Sequence, residues 1–142
     1  MSLRSPAPIT KEHDTDSFDS GVEPLNDYLR KYALLNHNSR AARTYVAVRA
    51  GRIAGYYTLA NGSVSRDEVP ARVAKGLGRY PVPITIIARL AVDLSERGKG
   101  LGRGLLKDAL LRAWQASELV GSRAVVTHAK DEAAREFYLR FQ

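Results

Sequence analysis

Val22, Leu25, Leu29 and Tyr32, with Tyr28 and Ala33 beside them, recur at spacings of three and four. That period places them on one face of an amphipathic helix over roughly residues 22–36. Asp19 or Ser20 is its expected cap, and the polar cluster Asn36-His37-Asn38-Ser39 its expected end. Thr44 to Val48 and Ile53 to Ala60 are rich in β-branched and aromatic residues and are joined by Ala50-Gly51-Arg52. They predict a hairpin, closed by the turn signal Asn61-Gly62. Residues 65–83 carry Pro70, Gly76, Gly78, Pro81 and Pro83 and predict a short helix around 67–75 followed by an irregular, mobile loop. Ile84 to Leu94 is a long apolar run that suits a central strand buried on both faces. Beyond a glycine-rich turn, Leu101, Leu105, Leu106, Ala109, Leu110, Ala113 and Trp114 form one helical stripe that stops before Gly121. Ala124 to Ala129 then predicts a short strand, and Glu132 to Phe141 a last helix making contacts through Ala133, Ala134, Phe137, Tyr138 and Phe141. Helix, hairpin, strand, helix, strand and helix in that order give an α/β or α+β sheet with a strand–turn–helix–strand crossover at its centre.

At 142 residues the chain is sized for one domain, residues 1–142, with one core, and no internal repeat or linker divides it. The absence of cysteine excludes disulfides, thiolate metal sites and a cysteine nucleophile. His13, His37 and His128 lack a metal-ligand spacing, so no metal is expected. No apolar run approaches the roughly 18 residues of a membrane span, and the start carries no apolar stretch of a signal peptide, which makes the cytoplasm the default compartment. The net charge of +7 is unevenly spread. Residues 1–27 hold two bases against six acids, and residues 72–112 nine bases against three acids. A phosphate-rich partner would therefore meet the second half, although solvated basic faces account for the same counts.

The most informative stretch is Arg97-Gly98-Lys99-Gly100-Leu101-Gly102-Arg103-Gly104, between a buried strand and an amphipathic helix. The first N–H groups of a helix have no partners and its dipole favours anions, so a glycine-rich approach to such a start makes a phosphate cradle. The alternative is a merely flexible strand-to-helix turn. A Walker loop fails because Gly98-Lys99 is followed by Gly100, and no G-x-G-x-x-G register closes because Arg103 and Leu105 stand where a third glycine is needed.

What remains is Arg/Gln-x-x-Gly-x-Gly, matched by Arg97, Gly100 and Gly102. Here the sequence resembles the GNAT family of acetyl-coenzyme A dependent N-acetyltransferases, over roughly residues 18–141. The resemblance implies a mixed central sheet with splayed strands, flanked by helices. It maps a bulge whose backbone binds the pantetheine arm and acetyl carbonyl onto Leu90, Ala91 and Val92. The pyrophosphate-holding loop maps onto Arg97, Gly98, Lys99, Gly100, Leu101, Gly102 and Arg103, and the splayed strand onto Ala124 to Ala129. More specifically, Arg43-Thr44-Tyr45-Val46, Gly55-Tyr56-Tyr57-Thr58-Leu59, Tyr80-Pro81-Val82-Pro83, Ala88 to Asp93 and Ala129 to Tyr138 are together similar to toxins of bacterial toxin–antitoxin pairs that acetylate the amino acid on charged tRNA. That likeness implies acetyl-CoA as co-substrate, aminoacyl-tRNA as substrate and a block of translation. It also implies a ribbon-helix-helix antitoxin, operator DNA repressed through the pair, and a homodimer.

Amine attack on a thioester builds charge on the carbonyl oxygen and expels a thiolate that should be protonated as it leaves. Tyr138 matches the family's general acid, although Tyr138 as a plain core aromatic beside Phe137 is the alternative. An α-amino group has a pKa of about 7.7–8 against about 10.4 for lysine, so an α-amine substrate needs little help from a base. Asp93 or a water is the candidate for that help. Arg43, Arg79 and Arg89 flank the expected cleft and are candidate tRNA contacts, with locally paired or solvated arginines as the alternative. His128 and Trp114 read as structural, and Tyr56 or Tyr57 as core residues that could face the acyl acceptor. The family normally continues past the tyrosine-bearing helix with a Gly-Phe turn and another strand, whereas this sequence stops at Phe141-Gln142. The expectation is a fold short of its final strand, as a truncated product, with a partner supplying the pairing, or with an incomplete site. Two other functions stay open: a GNAT acting on a protein or small-molecule amine, and an impaired, binding-only relative.

Overall fold

The computed structural model describes residues 2–64, 82–120 and 124–127; Arg79, His128, Tyr138, the helix expected at 67–75 and the one expected from Glu132 lie outside them. The described elements run β1 (Ala7–Pro8), α1 (Glu23–Lys31), α2 (Ala33–Ser39), β2 (Arg43–Arg49), β3 (Arg52–Val64), β4 (Val82–Val92), a 3-10 turn (Leu94–Glu96), α3 (Leu101–Val120) and β5 (Ala124–Thr127). They form one mixed sheet ordered β1-β2-β3-β4-β5, antiparallel from β1 to β4 and parallel between β4 and β5. The expected mixed sheet with flanking helices is thus present.

Alternation along the strands splits the core into two layers. Val46, Ile53, Tyr56 and Ala91 face α1 and α2, where Phe18 meets Tyr56 edge to face. Ala47, Tyr57, Leu59 and Ile87 face α3, which covers them with Leu101, Leu105, Leu106 and Ala109. Gly55 lets α3 come this close: a Cβ there would lie 2.8 Å from Leu105 Cδ1 and 3.0 Å from the Ala91 carbonyl oxygen.

Several expectations are corrected. The helix over 22–36 is two helices, broken at Tyr32 (φ −124°), and the polar cluster continues the second one because Asn36 donates to Tyr28 Oη and Ser39 Oγ to the Asn36 carbonyl; the stop is Arg40 at φ 66°. The first helix is capped by Val22 with a proline in its first turn, while Asp19 and Ser20 serve another purpose described below. Asn61-Gly62 is no turn. β3 runs on to Val64 against Val82, and a Cβ at Gly62 would meet Ile86 Cδ1 at 2.6 Å, so the Ile86 side-chain tip occupies the space a larger residue would use. β4 accordingly starts before Ile84, taking in Pro83, and stops at Val92. The irregularity expected at Leu90-Ala91-Val92 falls at Ala88: these three pair regularly with Tyr57, Tyr56 and Gly55, while Thr58 opposes Arg89 and Leu59 opposes Ile87. Trp114 leaves the buried stripe and is 65% exposed, and Leu111 joins it on the solvent side of α3. The two-residue β1, which pairs Ala7 with Val46, was not foreseen.

Candidate active site

The buried strand β4 delivers the chain to the glycine loop. Asp93 N–H donates to the Ala54 carbonyl as the strand ends, and the 3-10 turn follows. Gly98 and Gly100 then take φ of 79° and 81°, a region open to glycine and strained for other residues. A Cβ on either would meet nothing within 4 Å, so the glycines answer a conformational need and leave room at the loop surface. The loop N–H groups of Arg97 and Lys99 are used by the Leu94 and Glu96 carbonyls, and the first helical bond is Gly104 N–H to the Gly100 carbonyl. Among the described residues, the N–H groups of Gly98, Gly100, Leu101, Gly102 and Arg103 have no acceptor. Five donors around an open surface at a helix start fit a pyrophosphate by charge and by hydrogen bonding.

The three loop cations diverge. Arg103 is exposed and has no polar partner among the described residues, which leaves it available to a phosphate. Lys99 lies 3.7 Å from Glu96 Oε2, and Arg49 Nε is 3.1 Å from Oε1 of the same buried carboxylate. Arg97 turns its guanidinium back and donates to the Ser20 carbonyl at 2.8 Å. Glu96 escaped the sequence reading, since only the fold brings β2 to the loop; its one legible sign is an acid three residues before Lys99.

Asp93 is held as a carboxylate by its neighbours. Burial alone would raise its pKa, but hydrogen bonds from the Ser95 hydroxyl (2.6 Å), Asp19 N–H (2.9 Å) and Ser95 N–H (3.0 Å) outweigh burial and hold the carboxyl below its ordinary range. Tyr56 Oη donates to the Leu25 carbonyl at 2.7 Å and Tyr57 Oη to Asp108. Burial raises both phenol pKa values, further for Tyr57 through the Asp108 bond, so both are neutral core donors whose hydroxyls are committed within the fold.

Arg43 and Arg89 both reach the α1–α2 pair. Arg89 stacks on the Tyr28 ring, 3.7 Å from its centroid, and continues a cross-strand row with Thr44 and Thr58, whose buried hydroxyls bridge at 2.8 Å. Arg43 donates to the His37 carbonyl and lines a cavity of about 500 Å³ together with Pro8, Ile9, Lys11, His37 and Arg40. Burial and then the Arg43 charge lower the His37 pKa, and its Nδ1 accepts Thr44 N–H, so the ring is a neutral wall. Among the described residues, three cations and no carboxylate line this groove. It stands at the opposite end of β2 from Arg49 and the loop, about 20 Å away at strand rise.

The sequence profile of the acetyltransferase (GNAT) domain matches residues 40–142. The chain belongs to the GNAT acetyltransferase family. It is an acetyl-CoA-dependent N-acetyltransferase, and acetyl-CoA supplies the activated acetyl group. A tRNA-acetylating toxin of Mycobacterium tuberculosis is 45% identical over 137 residues, covering 96% of this GNAT chain and 82% of the relative. Among solved structures, AtaT complexed with acetyl-methionyl-tRNAfMet matches with a TM-score of 0.84 at 29% identity, over 98% of this chain and 85% of that one. A mutant AtaT toxin bound to the C-terminus of the antitoxin AtaR and acetyl-CoA matches with a TM-score of 0.78 at 28% identity, over 99% and 83%.

Proposed function

We propose that this GNAT enzyme is the toxin of a toxin–antitoxin pair and moves acetyl from acetyl-CoA to the amino group of aminoacyl-tRNA, blocking translation. The observation that carries this reading is the 45% identity, over nearly the whole chain, to a tRNA-acetylating toxin. In the proposed site the N–H groups of Gly98, Gly100, Leu101, Gly102 and Arg103, with the Arg103 charge, hold the pyrophosphate, and Arg97 and Lys99 support the loop from behind. The backbone of Leu90, Ala91 and Val92 lies beside the pantetheine arm and acetyl carbonyl. The uncharged amine attacks that carbonyl, the C–N bond forms as the C–S bond breaks, the amine's extra proton leaves to water, and Tyr138 protonates the departing thiolate. No base is assigned, in keeping with the low pKa of an α-amine. By the same reading residues 1–142 are one GNAT domain, paired as a homodimer in the cytoplasm and neutralised by a ribbon-helix-helix antitoxin with which it represses its operator.

Transfer of labelled acetyl to charged tRNA, run beside deacylated tRNA and a lysine peptide, tests the substrate. Label on charged tRNA alone is expected; label on the peptide instead would favour the protein-amine reading.

The cationic groove supports an RNA partner, since Lys11, Arg40 and Arg43 line it without a compensating carboxylate among the described residues. Charge reversal of all three to Glu is expected to weaken tRNA binding and to flatten its salt dependence by about one unit of log–log slope for each phosphate that is no longer neutralised. An unchanged slope in a filter-binding titration would remove the groove, and Arg43 with it, from the tRNA surface. Arg89 and Arg79 are assigned to the same partner on the resemblance.

A further inference from the structure

The glycine loop is bolted to the segment that starts α1, and we propose that this bolt, made by Arg97, Asp93 and Asn26, positions the loop amides for acetyl-CoA without itself touching acetyl-CoA. The proposal rests on the reading of Gly98 to Arg103 as the pyrophosphate cradle.

Three hydrogen bonds join stretches more than 70 residues apart in sequence. Leu94 N–H donates to the Asp19 carbonyl at 2.8 Å, Asp19 N–H to Asp93 Oδ1 at 2.9 Å, and Arg97 Nη2 to the Ser20 carbonyl at 2.8 Å. The other Asp93 oxygen caps the 3-10 turn from which the loop departs. Asn26 on α1 braces the far side. Its Oδ1 accepts both Ser20 N–H and Ser20 Oγ–H at 2.8 Å, and its Nδ2 donates to Asp19 Oδ1 at 3.0 Å. Ser20, Asn26 and Asp93 are all buried, where a missing partner leaves the remaining polar atoms unsatisfied. Gly21, at φ 82°, completes the fit: a Cβ there would stand 3.3 Å from Arg97 Nη2 and 3.1 Å from Leu94 Cδ2.

Arg97 therefore commits its Nη2 donor to a carbonyl of the segment that leads into α1. Its contribution to binding acetyl-CoA is the orientation of the five open N–H groups, and α1, held to β3 by the Tyr56–Leu25 bond, is the anvil. A charge contact from Arg97 to the coenzyme would leave Asn26 and Gly21 without influence on affinity. The bolt makes all three matter.

Calorimetric titration of Asn26→Ala, Arg97→Met and the double variant with acetyl-CoA, and with acetyl-pantetheine, which lacks the phosphates, separates these roles. Expected is an acetyl-CoA Kd raised about 5- to 30-fold by either substitution, no further rise in the double variant because the two act as one unit, and unchanged acetyl-pantetheine affinity. The salt dependence of acetyl-CoA binding should stay that of the unsubstituted enzyme. Overturning the proposal would take an Asn26→Ala enzyme with native Kd, additive effects, or a shallower salt dependence in Arg97→Met. If Asn26→Ala does not fold, Gly21→Ala, which strains the backbone at φ 82° and presses a Cβ to 3.3 Å from Arg97 Nη2 and 3.1 Å from Leu94 Cδ2, carries the test: a raised Kd supports the bolt and a native Kd overturns it. A cradle located elsewhere is recognised separately, by Gly100→Val leaving Kd unchanged.

Discussion

Tyr138→Phe is expected to lower acetyl transfer to charged tRNA by about 10²- to 10⁴-fold, the usual worth of a positioned general acid, while leaving the Kd for acetyl-CoA within about twofold. The phenol is asked to deliver one proton to a leaving thiolate, and phenylalanine keeps the ring while removing that proton. The two tyrosines at the middle of the sheet do not offer a substitute: Tyr56 is committed to the Leu25 carbonyl and Tyr57 to Asp108, and burial keeps both protonated. Asp93, with its three donors and lowered pKa, cannot act as an acid near neutrality. Single-turnover transfer of labelled acetyl, measured beside calorimetry, checks the prediction. A variant that retains more than about a tenth of the rate would show that the thiolate leaves without help from Tyr138.

Gly100→Val should raise the Kd for acetyl-CoA by about 10- to 100-fold, with only a few degrees lost from the melting temperature. At φ 81° a β-branched residue carries strain of about 1–3 kcal/mol. Nothing lies within 4 Å of the added Cβ, so the strain is chiefly one of backbone conformation and is relieved by turning the loop backbone. Turning it re-aims the N–H groups of Gly100, Leu101 and Gly102, which the proposed cradle uses. Calorimetry with acetyl-CoA and a thermal melt on the same preparation separate the two effects. A native Kd would place the pyrophosphate away from this loop.

Local chemistry was legible wherever neighbours in sequence are neighbours in space. The period of α3 from Leu101 to Ala113, the hairpin around Ala50-Gly51 with both residues at positive φ, and the glycine loop before a helix all depend on contacts within a turn or two of chain. The misreadings share one cause. Gly62 looks like a turn because its neighbours are Asn61 and Ser63, yet its pairing with Ile84 on β4, a strand away, keeps it extended. Trp114 fits the helical period, yet α3 buries Leu101, Leu105, Leu106, Ala109 and Ala113 and leaves Trp114 on its exposed side.

The sequence by itself determined the hairpin of β2 and β3, the glycine-rich passage from β4 into α3 and the family to which the chain belongs, because these rest on residue types at short spacing. Tertiary structure alone decided what each charged group does. Arg97 serves the Ser20 carbonyl, Lys99 and Arg49 share Glu96, Asp93 holds Asp19, and Arg103 keeps an open side toward the loop surface. A long side chain reaches whichever partner lies within about 3 Å of its tip, and that partner is set by how distant segments pack, which no local pattern records.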